Sequence, residues 1–231
     1  MYKKIFVLMA AITFIMPAFG YDESVLAKEN SIQTRINAVG TNLLNYNKIP
    51  KRIVFTYNKS EKKKLVSTDK SLTKRQVIVY DGLYQYVQTD DELAAMLARE
   101  IATVMKSYSG LWGGTLDSLQ VALGSKKFEM VSDKRAVDYM VSAGYNPLAL
   151  IVYINKTCPQ KRFDKISRHN LTSRRLAHIY EYITYKYPQY LENNEYINNP
   201  YYQNFLLTSV DNRRKLEEKI KNKSSKEVDY E

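Results

Sequence analysis

The sequence predicts an α+β fold in which helices dominate and the β-sheet is small. Three observations predict it. Residues 89–104 spell out a capped amphipathic helix, two β-branched runs stand at 53–57 and 76–80, and helical apolar spacing recurs through most of the remaining chain.

The elements follow in order. Lys3 and Lys4 precede an uncharged apolar run, Ile5 to Met16, and Ala18-Phe19-Gly20 has the small-x-small pattern of a cleavage site. Residues 1–20 therefore read as a signal peptide, with Tyr21 as the first residue of the mature chain and an uncleaved anchor as the alternative. The run is shorter than the ~20 residues of a comfortable membrane span. Residues 22–47 place Ile32, Ile36, Val39 and Leu43 on one helical face, and Pro50 follows as a stop. Ile53 to Tyr57 reads as a strand, and residues 59–75 as a polar, basic, hairpin-like excursion with a short strand at Leu65-Val66-Ser67. Gln76 to Tyr80 is a second strand, and Asp81-Gly82 is a turn dipeptide.

Thr89 with Glu92 three residues later forms a capping box. It opens a helix whose apolar face is Leu93, Met96, Leu97, Ile101 and Val104. Ser107 to Gly114 reads as a glycine-rich loop and Leu116 to Leu123 as a short helix. A further helix runs from about Lys126 to Ala143 and stops at Gly144; Pro147 opens another through Ile154. Thr172 to Tyr185 and Pro200 to about Lys223 are the last helices, and Ser224 to Glu231 is expected to fray.

The 231 residues suffice for one domain with a full core. A net charge of +11, or +9 without Lys3 and Lys4, favours anionic partners. With a secretory leader, an anionic membrane surface is a candidate partner and nucleic acid is not expected. Cys158 is the only cysteine, so no internal disulfide forms. The tyrosines at 180, 182, 185, 187 and 190 suggest a sugar-stacking or interface surface, or simply a compositional drift.

One helix carries chemistry. The zinc-peptidase motif H-E-x-x-H sets two histidine ligands one helical turn apart, with the glutamate as general base. The same frame here reads Arg99-Glu100-Ile101-Ala102-Thr103, which keeps the base position and neither histidine. Around it stand Val77-Ile78-Val79-Tyr80-Asp81-Gly82-Leu83, Asp90-Asp91-Glu92-Leu93-Ala94, Glu129-Met130-Val131-Ser132-Asp133 with Ala143-Gly144-Tyr145-Asn146-Pro147, and His169-Asn170-Leu171-Thr172-Ser173-Arg174-Arg175. In this order the segments resemble the HtpX- and BepA-like gluzincin metallopeptidases (metallopeptidase family 48), with a degenerate zinc motif. Asn170 stands where the family usually has proline, and the loop after 107 is shorter than usual.

The resemblance implies a gluzincin metallopeptidase-like domain over residues 21–215, followed by a charged C-terminal tail at 216–231. It implies Glu129 as the third zinc ligand, Glu100 as the general base, and Asp133, His169 and Arg175 in supporting positions around the metal. Arg99 and Thr103 replace the two histidines. Guanidinium has no free lone pair and threonine offers a neutral hydroxyl, so only Glu129 remains able to bind metal, and no zinc is expected. Arg99 is expected to turn inward and neutralise Glu129 or Asp133 at about 4 Å. The expected function is that of a periplasmic or secreted pseudopeptidase that binds a peptide or envelope protein. The alternatives are an active zinc metalloendopeptidase with an atypical site and a basic envelope-surface binding protein.

Overall fold

The computed structural model describes residues 23–50, 53–62, 67–68, 75–107, 125–158 and 172–230. The expected signal peptide, the loop at 108–114, the short helix at 116–123 and His169 lie outside these residues.

Helix α1 (Glu23–Tyr46) buries Ile36, Val39 and Leu43, the face its spacing predicts. Strands β1 (Val54–Asn58) and β3 (Gln76–Tyr80) pair in parallel, and β2 (Ser67–Thr68) pairs antiparallel on the far side of β3, giving the order β1-β3-β2. The excursion is hairpin-like as expected in that β2 pairs antiparallel with β3, though its described strand is Ser67–Thr68 rather than 65–67, and β1 and β3 themselves run parallel. Helix α1 covers the outer edge of β1. Gln33 Nε2 donates to the Phe55 carbonyl at 3.0 Å and its Oε1 accepts the Tyr57 N–H at 2.7 Å, so one side chain stands in for a neighbouring strand. Asp81-Gly82 opens a short helix, α2 (Asp81–Tyr84), instead of a bare turn. A Cβ at Gly82 would overlap the Glu61 carbonyl oxygen, which accounts for glycine there.

Helix α3 (Asp90–Ser107) runs through the centre and packs against α1, α4 (Ser125–Ser142) and α5 (Leu148–Thr157). Its predicted face is buried throughout, and Ala94, Ala95, Ala98 and Ala102 let its neighbours approach on the other sides. Each acid at its entry is tied to a different element. Asp90 accepts from Arg35 of α1 at 2.6 Å, Asp91 from the Asn146 N–H at 3.0 Å, and Glu92 from Lys156 of α5 at 2.7 and 2.9 Å. The Thr89 hydroxyl caps the Glu92 N–H at 3.2 Å, while the Glu92 carboxylate reaches back to Gln88 N–H at 2.8 Å, one residue before the usual capping-box partner. These ties fix the rotation of α3 and hence which way Arg99 and Glu100 face.

Gly144 ends α4 at φ 80°, a left-handed position that glycine takes without strain. Pro147 precedes α5, a helix buried from Leu148 to Asn155. Helix α6 (Thr172–Lys186) and the short α7 (Gln189–Glu192) follow. The single helix expected from Pro200 is two, α8 (Pro200–Thr208) and α9 (Val210–Lys221). Thr208 and Ser209 hydroxyls donate to the Asn204 and Phe205 carbonyls at 2.9 and 2.6 Å, and Arg213 takes the Leu206 carbonyl at 3.0 Å, so the broken ladder is repaired by side chains. The boundary expected at 216 falls inside α9, whose Leu216 is buried. The end of the chain does not fray: Tyr230 is 1% exposed and meets the His178 ring edge-on at 4.9 Å, while Asp229 pairs with Arg174 at 2.7 Å.

Candidate functional site

Helices α3, α4 and α6 bring five charged side chains together. α3 supplies Arg99 and Glu100, one turn into its buried middle; α4 supplies Glu129 and Asp133, one turn apart; α6 supplies Arg175 from its first turn. Asp133, 1% exposed, is the hub. It accepts from Arg99 Nε at 3.2 Å, from Arg175 Nη2 at 2.6 Å, and from Arg175 Nε in a very short bond. Arg175 therefore clasps the carboxylate with two donors, and Arg99 adds a third. Glu129 Oε2 lies 3.8 Å from Arg99 Nη2 and 3.7 Å from Arg175 Nη1, and its side chain is 37% exposed. Glu100 Oε1 lies 3.9 Å from Arg99 Nη1.

Arg99 thus turns inward and pairs with both expected acids. The sequence argument did not assign Arg175 as the principal partner of Asp133. Three acids against two guanidiniums leave one negative charge in excess when all are ionised. Glu100 relieves it. Burial pushes its carboxyl up to about 7, Arg99 and Arg175 pull the other way, and Glu129 adds to the rise. Its raised hold on a proton is what eases the excess charge. Arg175, which burial alone would push down, is held above its ordinary value by Asp133. Thr103 points its hydroxyl back to the Arg99 carbonyl at 3.0 Å.

The sequence also overlooked Tyr153. It lies in the buried run Leu148–Asn155 of α5 beside Arg99, Glu100, Cys158 and Arg175, and its hydroxyl has no hydrogen-bond partner among the described residues. A lone phenol in the otherwise aliphatic run Leu148–Ile154 was the available signal. Helix α6 carries the other expected neighbour, Arg175, but His169 lies outside the described residues; His178 is buried on α6, facing Glu181 and Tyr230.

The residues at the three positions expected from the resemblance to be ligands do not suit zinc. Arg99 brings a cation, Thr103 a neutral hydroxyl already donating, and Glu129 one carboxylate that faces two guanidiniums. No group of three His, Cys, Asp or Glu side chains among the described residues is placed to hold a metal ion. In comparisons with known proteins, no family model, no curated protein and no solved structure matches the chain.

Proposed function

We propose that this chain is a gluzincin-like protein that has given up zinc catalysis and works by binding peptide or protein segments in the periplasm or outside the cell. The observation that carries the reading is the Arg99 guanidinium at the first ligand position of the motif, bonded to Asp133 and paired with Glu129. A fixed cation there repels a dication and occupies the acids that would support or bind it. Glu100 then keeps its place without the metal-bound water that such a base deprotonates. The ordered segments at 77–83, 90–94, 129–133, 143–147 and 169–175 support the family reading.

The test uses the mature chain with added zinc and an unfolded protein such as reduced casein. Retained binding without cleavage is expected, with binding indifferent to chelator. Zinc-dependent cleavage that Glu100→Gln abolishes would overturn the reading. Salt-sensitive binding to anionic vesicles with no polypeptide bound would favour the basic surface-binding protein that the +11 charge allows.

A further inference from the structure

After α9 the chain lays residues 224–230, which form neither helix nor strand, against α6 and α9. The Tyr230 ring is 1% exposed and meets His178 of α6 edge-on at 4.9 Å. Its hydroxyl is buried towards Glu181 of α6 but completes no hydrogen bond of good geometry. One residue earlier, the Asp229 carboxylate accepts from Arg174 Nη2 at 2.7 Å, and the Asp229 carbonyl accepts from Lys215 Nζ of α9 at 3.1 Å. His178 and Glu181 also line a cavity of about 320 Å³, with Tyr185, Lys219 and Glu227, which the segment leaves unfilled.

The attachment is thin. Among the described residues no backbone–backbone hydrogen bond holds residues 225–230; the last such bond runs from the Ser224 N–H to the Lys219 carbonyl at 3.1 Å. The Asp229 side chain is 92% exposed, so its pair with Arg174 contributes little. One ring therefore carries the docking, and it does so with its hydroxyl unsatisfied, which weakens the fit. A segment with one apolar anchor and no ladder bonds sits at the low end of local stability and comes off before the helices open. While seated, it also displays what the surface accepts: irregular chain, a ring beside His178, and an acid one residue before it beside Arg174.

We propose that this face of α6 and α9 is a docking surface for an extended polypeptide segment carrying an aromatic residue directly preceded by an acid, and that residues 224–230 occupy it in cis. The inference rests on the reading of the chain as a polypeptide binder; it names where a segment binds and what that segment carries. A tethered segment competes at an effective concentration in the millimolar range. A partner therefore binds when it holds the surface more tightly than Tyr230 does, or when the Tyr230 ring has come out.

The test is calorimetric titration of the full mature chain and of its Tyr230→Ala variant with a peptide of residues 224–231, acetylated and amidated so that its ends carry no charge. The expected result is that the variant binds the peptide about tenfold or more tightly than the parent does. The peptide with Tyr230→Ala should lose about tenfold or more, and the peptide with Asp229→Asn about twofold or less, since that pair is exposed. The peptide should also raise the melting temperature of the variant and not of the parent, a rescue that reads out even if the variant is partly unfolded. No binding or rescue of the variant at about 5 mM peptide overturns the proposal. So does equal binding by parent and variant, or a peptide that binds as well without its ring. Reduced casein bound while the peptide is not overturns this surface and leaves the polypeptide-binding reading standing; peptide bound while casein is not does the reverse.

Discussion

Removing Arg175 should cost more stability than removing Arg99, although Arg99 occupies the motif position. Arg175→Ala deletes two of the three guanidinium bonds to Asp133 and leaves a carboxylate that is 1% exposed with one donor at 3.2 Å. Breaking a buried pair from one side costs about 3–5 kcal/mol. Arg99→Ala deletes one longer bond and the looser pairs to Glu100 and Glu129, and leaves the two-donor clasp in place. A bond to a charged group contributes about 1.5–3 kcal/mol, so a loss near 2 kcal/mol is expected. That is less than if Arg99 were the only cation in the cluster. Urea unfolding of the mature chain at neutral pH measures both. The double variant Arg175→Ala/Asp133→Ala should cost less than the sum of its single changes, because the pair is already broken. Arg99→Ala costing more than Arg175→Ala, or Arg175→Ala within about 1 kcal/mol of the parent, would refute the assignment of Arg175 as the principal clasp.

Glu100 makes stability depend on pH. Its carboxyl is raised from 4.5 to about 7, so the native state holds its proton more tightly than the unfolded chain does. The stability this contributes is full below about pH 4.5 and is lost as pH rises through about 7, roughly 3 kcal/mol in all. Glu100→Gln should remove that slope, so its stability relative to the parent should rise between about pH 5 and pH 8 in urea titrations; parallel curves would show that Glu100 titrates normally. For the chain end, Tyr230→Ala should lower stability by about 2–3 kcal/mol. Asp229→Ala, which breaks an exposed pair, should change it by about 0.5 kcal/mol or less; equal effects would mean that the ring is not the anchor. Intact mass of the exported protein should begin at Tyr21, and retention of residues 1–20 would place it among anchored proteins.

Much of the fold is legible locally. The faces of α1 and α3, both parallel strands and the glycine stop after α4 each follow from spacing or a single residue type. What the sequence conceals depends on partners far along the chain. Nothing near Phe55 announces that the Gln33 side chain will stand in for its neighbouring strand. The break at Ser209 needs hydroxyls that compete with the helix ladder, and the docking of Tyr230 needs the His178 ring, which lies far back along the chain. At the site, the inward turn of Arg99 is readable from charge balance alone, because three acids on facing helices demand a cation. The dominance of Arg175 is not, since it turns on which guanidinium can approach Asp133 with two nitrogens.

The central claim is that a guanidinium has taken the place of the metal. Elemental analysis of the mature protein, loaded with excess zinc and then desalted, tests it most directly. The account predicts far less than one zinc per chain. About one zinc per chain, together with proteolysis that Glu100→Gln abolishes, would contradict it.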